Sequence, residues 1–165
     1  MKMGEVLSLN ISLKKGTSKH PVDEVYVEEN LGIRGDAHFG FAHRQVSLLA
    51  WEDIEEQNFY LKEANFGIER LNPGDFAENI TTKGIDLSSL NVGDRIKIGS
   101  GVVLEVTQIG KKCHDLCEIA KKVGKCIMPR QGVFASVLKG GKIRRGDPVW
   151  VIRKENGKNS YSNCE

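Results

Sequence analysis

Short hydrophobic runs separated by glycine-containing turns recur along most of the chain. The segment 4–11 ends in an alternation of hydrophobic and polar residues, which predicts a strand with one buried face. A second strand is predicted at 24–27, and the more continuously hydrophobic segment 45–49 predicts a third. Several short strands with turns between them are typical of a closed or sandwiched β architecture. We therefore expect a small β-barrel.

Two distant segments of the chain resemble each other. Residues 91–98 and 144–151 each contain a Gly-Asp turn that leads into an alternating strand, a common entry into a barrel strand. Pro148 begins the second of these strands, and we expect it at a sheet edge because proline donates no hydrogen bond to a neighbouring strand. The polar segment 14–21 is expected to form an exposed loop.

Two other segments have the periodicity of a helix. The first has acidic residues in its opening turn and a shared face made of Trp51, Ile54, Asn58 and Leu61. The second ends at Gly124, and its hydrophobic face is made of Leu116, Ile119, Ala120 and Val123. The expected fold class is therefore mainly β with a few helices (α+β). We predict one barrel domain over 1–153 and a polar, frayed tail over 154–165.

The overall composition narrows the classes of function. The chain has 165 residues, of which 39% are hydrophobic, and a formal net charge of +2. A charge near zero argues against general nucleic-acid binding, whose affinity comes from neutralising many phosphates. No hydrophobic run approaches the roughly 18 residues that span a bilayer, and Glu5 interrupts the stretch that a secretory signal would need. We expect a cytoplasmic protein that does not associate with membranes.

Cys113 is the candidate for covalent chemistry. It lies between a predicted strand and the second predicted helix, with two lysines before it and His114 after it. A helix N-terminus and neighbouring cations stabilise a thiolate, which makes a cysteine a better nucleophile or sulfur carrier. Three alternatives stay open: a buried core cysteine, a redox pair with Cys117, and a zinc site with Cys117 and Cys126. The zinc alternative lacks the second closely spaced ligand pair that such sites normally have.

Three glycine-containing loops carry polar side chains suited to an anionic ligand. The loops are 32–45, 73–82 and 124–134. Arginine offers forked donors for phosphate or carboxylate, and carboxylate and amide groups can shape a pocket by hydrogen bonds. The alternatives are solvated loops and side chains that bond only to nearby backbone. The candidate ligand-binding residues are Arg34, Asp36, His43, Arg44, Glu78, Asn79 and Arg130.

Six short motifs occur in an order that resembles one family. They are G-D-A-H at 35–38, H-R-Q-V-S-L-L-A at 43–50, P-G-x-F-A-E-N-I-T-T at 73–82, V-T-Q-I-G-K-x-C-H at 106–114, M-P-R-x-G-V-F-A at 128–135 and G-G-x-I-x-x-G-D at 140–147. Together they resemble the MOSC family, named after the C-terminal domain of molybdenum cofactor sulfurases. The similarity extends from Gly4 to Trp150 and is to short, stand-alone prokaryotic members. It implies a MOSC-like β-barrel.

The resemblance also implies a role for Cys113, which matches the family's characteristic cysteine after a V-T-Q strand. It implies that Cys113 carries sulfur as a persulfide, or serves as a thiolate ligand to molybdenum, and that the ligand is the molybdenum cofactor (molybdopterin). Longer relatives have a Pro-Arg-x-Pro-Cys type of segment where this chain has 109–113. Their ligand preference is therefore not transferred to this chain.

The implied partners follow from the same resemblance. A chain of 165 residues is too short to include the pyridoxal-phosphate desulfurase domain of full sulfurases. Sulfur would come from a cysteine desulfurase or another donor, so pyridoxal phosphate would enter only through that partner. The sulfur acceptor would be a molybdoenzyme or a protein of molybdenum cofactor biosynthesis. This chain would then act either as a sulfurtransferase or as an accessory domain of molybdenum cofactor enzymes. The alternatives are a non-catalytic module for an anionic ligand, and a component of a molybdenum-cofactor-dependent reductase that acts on N-hydroxylated compounds.

Overall fold

The fold was examined in a computed structural model, which describes residues 3–65, 67, 70–111 and 126–154. The strands in these ranges are β1 (Met3–Ile11), β2 (His20–Val22), β3 (Glu24–Glu28), β4 (Gly32–Ile33), β5 (Val46–Ala50), β6 (Ile80–Lys83), β7 (Arg95–Ile98), β8 (Val102–Ile109), β9 (Val133–Lys139), β10 (Gly141–Arg144) and β11 (Pro148–Ile152). The helices are α1 (Trp51–Glu63), α2 (Met128–Gln131) and a 3₁₀ turn at Leu87–Ser89. The second predicted helix, at 116–124, and most of the predicted tail lie outside the described residues.

Seven of the described strands close into a barrel. Their order around the barrel is β1, β6, β5, β9, β8, β7 and β11, and β11 pairs again with β1. The neighbours are antiparallel except β5 and β6, which run parallel. Along β7, Ile96 and Ile98 are buried while Arg95 and Lys97 are exposed. This period-2 pattern places the hydrophobic face of the strand inside the barrel. The predicted mainly β, barrel-like fold is therefore confirmed.

The predicted edge position of Pro148 is wrong. Strand β11 has neighbours on both sides, with Pro148 opposite Glu5 of β1 and Val149 opposite Ile98 of β7. Proline fits here because it is the first residue of the strand, where the ladder does not need its missing N–H. Its carbonyl oxygen still takes part by accepting a hydrogen bond from the Gly99 N–H at 2.9 Å.

The first predicted helix is present as α1 and covers one side of the barrel. Ile54 and Leu61 face inward, and Asn58 caps the neighbouring segment by bonding both the N–H and the carbonyl of Leu71. A second hydrophobic cluster fills the space between α1 and the barrel, with Leu49, Phe76, Ile127, Met128 and Phe134 among its members. This cluster holds α2 in place, where a loop was expected from the sequence.

The segment 14–21 departs from the sequence prediction at Lys19. Lys14, Lys15 and Gly16 are exposed as expected, but Lys19 is buried. The backbone is drawn inward because the Lys19 N–H donates to the Gly74 carbonyl at 2.8 Å. Gly74 has a φ of +89°, and a Cβ there would overlap the Lys19 carbonyl oxygen, so this contact requires glycine.

Candidate functional site

One small cleft collects the ends of several elements at one rim of the barrel. Its volume is about 40 Å³, room for about three water molecules or one tetrahedral oxyanion. The loop before β2, the loop before β5, the turn before β6, the end of β8 and helix α2 all contribute to its wall. The lining residues are Gly16, His38, Arg44, Ser47, Phe76, Ala77, Lys111, Met128 and Phe134. Among these lining residues, His38, Arg44 and Lys111 have nitrogen donors that suit an anion, and Ser47 adds a hydroxyl.

Phe41 organises the cations near this cleft. The guanidinium carbon of Arg44 lies 5.1 Å from the centre of the Phe41 ring and 5.9 Å from that of Phe134. The ammonium of Lys15 lies 3.6 Å above the same Phe41 ring, and the His38 ring meets its edge at a centroid distance of 5.6 Å. Contacts of this kind hold cations over an aromatic face without neutralising their charge. The cleft is therefore positively charged and lined in part by aromatic rings.

The end of β8 is fixed against α2 by a glycine. Gly110 donates to the Gly132 carbonyl at 2.7 Å, and Lys111 donates to the Pro129 carbonyl at 3.2 Å. Gly110 has a φ of +68°, and a Cβ there would overlap the Pro129 carbonyl oxygen. This close approach brings Lys111 into the cleft wall. Cys113 follows two residues later and lies outside the described residues, as do Cys117 and Cys164.

Two polar residues of the V-T-Q motif attach the loop before β5 to the barrel. A β-bulge falls between Val106 and Gln108, a feature that re-aims side chains. Thr107 Oγ1 lies within hydrogen-bond distance of the carbonyls of His43 and Phe134, which share its one hydroxyl hydrogen. Gln108 Oε1 lies 2.8 Å from His43 Nε2, so the ring and the backbone of His43 are both held by β8. His43 thus joins the loop to the strand and does not line the cleft.

Asp36 is buried beneath His38 in an ion pair with Lys19. Asp36 Oδ1 accepts from Lys19 Nζ at 2.7 Å and from the Ser12 N–H at 3.1 Å, and Oδ2 accepts from the His38 N–H at 3.0 Å. Burial alone would raise the pKa of Asp36, but the bonds from His38 and Lys19 outweigh it and hold that pKa well below its usual range. Asp36 therefore supports the cleft from below.

Glu78 and Asn79 are fully buried under the cleft rather than in its wall. Asn79 Oδ1 accepts from the Ser47 N–H at 3.0 Å and from Ser47 Oγ at 3.2 Å, while its Nδ2 donates to the Asn10 carbonyl at 3.1 Å. These bonds hold strand β5 beside β1 and orient the Ser47 hydroxyl that lines the cleft. Asn79 thus bonds largely to backbone, as the structural alternative from the sequence proposes.

Glu78 has one oxygen in hydrogen bonds and one without a partner. Oε2 accepts from the Gly74 N–H at 3.0 Å and from Thr81 Oγ1 at 2.7 Å, whereas Oε1 is buried and has no partner among the described residues. Burial raises the pKa of Glu78 to about 7, although the bonds from Gly74 and Thr81 oppose the shift. A proton on the unpartnered oxygen removes the cost of a buried charge.

Arg34 and Arg130 lie away from the cleft. Arg34 pairs with Glu28 at 2.8 Å and lies over the Tyr26 ring, on the separate three-stranded sheet β10-β3-β4. Arg130 is exposed in α2 and lines a different cavity of about 330 Å³, together with Asp53 and Glu56 of α1. The structure therefore brings together Arg44 and, below it, Asp36, but not the other two arginines.

The sequence interpretation missed Lys19, His38 and Lys111 as site residues. His38 and Lys111 stand inside the G-D-A-H and V-T-Q-I-G-K motifs, so motif position was a signal for both. Nothing in the sequence distinguishes Lys19 from its exposed neighbours.

The described part of the chain bears on the zinc alternative and on association with membranes. No cluster of three or more His, Cys, Asp or Glu residues able to hold a metal ion occurs in those ranges. None of the helices described here is both long enough and hydrophobic enough to cross a membrane.

Comparison with known proteins identifies the fold and the family. Among solved structures, the YuaD protein of Bacillus subtilis superposes with a TM-score of 0.76 at 22% identity, over 94% of this chain and 100% of that one. YiiM from Escherichia coli gives 0.64 at 20% identity (96% and 73%), and YiiM from Geobacillus stearothermophilus gives 0.65 at 22% (98% and 82%). Curated proteins gave no match. The family description "MOSC domain" matches residues 34–150, which is most of the chain and includes all six motifs in full. The protein therefore belongs to the MOSC domain family, a family related to the molybdenum cofactor.

Proposed function

We propose that this protein binds the molybdenum cofactor through the cleft and passes sulfur through Cys113. The observation that carries the proposal is the set of cationic donors around one cleft: His38 and Arg44 from the loop before β5 and Lys111 from the end of β8 line it, and Cys113 follows Lys111 by two residues. Two residues of chain span at most about 7 Å, which limits how far the backbone of Cys113 can lie from Lys111. Membership of a molybdenum-cofactor-related family supports the choice of ligand.

The residues around the cleft fit an anionic part of the cofactor. Arg44 and Lys111 supply positive charge, and the cleft of about 40 Å³ holds a phosphate-sized group rather than a whole pterin. Phe134 and Met128 are the hydrophobic lining residues that would contact the part of the cofactor next to the anionic group. When bound, the cofactor supplies a molybdenum centre for which a thiolate is a suitable soft ligand.

The sulfur step needs a partner that supplies a persulfide, such as a cysteine desulfurase carrying its own pyridoxal phosphate. The Cys113 thiolate attacks the outer sulfur of that persulfide, and a new S–S bond forms. The S–S bond of the donor breaks and the donor cysteine leaves as a thiolate, so no external oxidant or reductant is consumed. The sulfur on Cys113 is then available to a molybdoenzyme or to a protein of cofactor biosynthesis.

The proposal is tested by producing the protein in cells with an intact molybdopterin pathway and measuring bound molybdenum, pterin and sulfane sulfur. We expect all three in the wild type, and loss of sulfane sulfur with retention of pterin in Cys113→Ala. Cys126→Ala is the matched control, because Cys126 packs against the second hydrophobic cluster. Equal sulfane sulfur in wild type and Cys113→Ala would contradict the sulfur step.

A second candidate function is a binding module for an anionic ligand, with Cys113 incidental. It is favoured by the fact that the described lining residues Arg44 and Lys111 supply positive charge for an anion without any contribution from the cysteine. Two results together would support it: the wild type contains pterin but no sulfane sulfur, and Cys113→Ala does not change the amount of bound sulfur. Stoichiometric zinc that disappears in Cys113→Ala would support the zinc alternative. Turnover of an N-hydroxylated compound with a partner reductase would support the reductase component.

A further inference from the structure

Lys19 is a buried lysine whose ammonium has three neighbours able to accept a hydrogen bond. Its side chain is 1% exposed, and Nζ lies 2.7 Å from Asp36 Oδ1, 3.0 Å from Ser12 Oγ and 3.4 Å from His38 Nδ1. An ammonium has three N–H donors and no acceptor. Two of the donors are used by Asp36 and Ser12, so the third has His38 Nδ1 as its acceptor.

This arrangement determines which nitrogen of the His38 ring carries the proton in the neutral state. A hydrogen on Nδ1 would point at an ammonium that can only donate, which is unfavourable. The competing arrangement has a hydrogen on Nδ1 that is donated to Asp36 Oδ2, 3.5 Å away, an oxygen that also accepts the His38 backbone N–H at 3.0 Å. The shorter distance of 3.4 Å to Lys19 Nζ favours Nδ1 as the acceptor and a hydrogen on Nε2.

The other side of the His38 ring faces the cleft. His38 is a lining residue, and its side chain is 23% exposed. Among the residues that the structure describes, Nε2 has no hydrogen-bond partner, whereas Nδ1 is turned toward Lys19 and Asp36. The edge contact with Phe41 restrains the rotation of the ring. An Nε2–H group is thus presented to whatever occupies the cleft.

We propose that Lys19 is a positioning residue that holds His38 as an Nε2–H donor, and that His38, with Arg44 and Lys111, binds a tetrahedral oxyanion in the cleft. This rests on the proposed function for the identity of the ligand, since a phosphate monoester of the cofactor and free molybdate share this chemistry. It adds a reason for the burial of Lys19, whose charge is balanced by Asp36. Without Lys19, the Asp36 carboxylate would draw the hydrogen to Nδ1 and leave Nε2 as an acceptor that repels an anion.

The tautomer is tested directly by ¹⁵N NMR of the histidine rings at pH 8, above the usual imidazole pKa of about 6.5. The chain has four histidines, and the signals of His38 are assigned by their loss in His38→Gln. We expect Nε2 to carry the hydrogen in the wild type and Nδ1 to carry it in Lys19→Met. A wild-type ring with hydrogen on Nδ1 overturns the proposal, even if Lys19→Met does not fold.

Oxyanion binding is tested with sulfate, inorganic phosphate and molybdate as separate probes. We expect His38→Gln and Lys19→Met each to weaken sulfate binding about tenfold, while the exposed control Lys139→Met leaves it unchanged. Molybdate bound much more tightly than phosphate would assign the site to free molybdate, and the reverse order to a phosphate monoester. No saturable binding of any of the three to wild type would overturn the proposal.

The outcomes also separate this inference from the proposed function. The tautomer and oxyanion measurements need neither cofactor nor sulfur, so they can succeed while Cys113 carries no sulfur. Conversely, sulfane sulfur on Cys113 in a protein whose His38 has hydrogen on Nδ1 would keep the proposed function and remove the role of Lys19.

Discussion

Removing the ammonium of Lys19 would leave the Asp36 carboxylate charged and buried without its partner. The two side chains are 1% and 0% exposed and meet at 2.7 Å. Breaking such a pair on one side costs about 3–5 kcal/mol, because the remaining charge has lost both water and its counterion. For a protein of this size, about 2–4 °C of melting temperature corresponds to 1 kcal/mol. We expect Lys19→Met to lower the melting temperature by about 6–20 °C at pH 7.5.

The matched control is the exposed pair Lys142–Glu24, whose N–O distance of 2.6 Å is similar. Its side chains are 33% and 47% exposed, so water already solvates both charges and Lys142→Met should change stability little. Thermal unfolding followed by circular dichroism measures both variants. Similar losses for the buried and the exposed pair would refute the reasoning.

The pH dependence of the loss provides a second check on the same variant. In the wild type the pKa of Asp36 is held below its usual range, so its contribution is present above pH 4 and lost only as the pH falls through the folded-state pKa. In Lys19→Met, the hydrogen bond and the charge of Lys19 no longer lower the pKa of Asp36, so that pKa rises from its wild-type value. The variant should therefore recover stability relative to wild type as the pH falls from 7.5 toward 3. A difference that stays constant over this range would contradict the account.

Three further predictions concern single residues. Because burial raises the pKa of Glu78 to about 7, the wild type should lose up to ~3 kcal/mol of unfolding free energy as the pH rises from 4.5 to 7, and urea unfolding of Glu78→Gln should lack this loss. Gly110→Ala should lower the unfolding free energy by more than about 2 kcal/mol. Gly35→Ala, at a position with a positive φ but open surroundings, should lower it by about 1 kcal/mol, and equal losses would contradict the close approach to α2. Calorimetric titration with sulfate should show about tenfold weaker binding for Arg44→Met and no change for Arg130→Met, since only the former lines the cleft.

Local patterns predicted the barrel strands and α1 because each depends on neighbouring residues. The alternation in 4–11 and the helical face around Ile54 are complete within one element. Barrel closure is different, since it depends on pairing between β1 and β11, which are far apart in the sequence. Pro148 misled the prediction for that reason: its effect depends on its position along the strand, which only the register reveals.

The sequence predicted which loops form the candidate site, but not which of their polar side chains line the cleft and which are buried below it. The glycine-rich loop before β5 predicted Arg44 as a ligand-binding residue, and Arg44 lines the cleft. Asp36 and Asn79 were expected beside the ligand, yet both lie below the cleft in hydrogen bonds to other segments. The depth of a polar side chain depends on partners distant in sequence. Lys19 shows this most clearly, because its burial follows from the turn at Gly74 and the carboxylate of Asp36.

The central claim is that Cys113 accepts sulfur beside an anion-binding cleft. The most direct measurement is peptide mass spectrometry after incubation with a cysteine desulfurase and cysteine, with persulfides trapped by alkylation. The account predicts one additional sulfur on the peptide that carries Cys113, removed by a thiol reductant, and none on the peptide that carries Cys126. Absence of added sulfur on Cys113, or equal labelling of both cysteines, would contradict it.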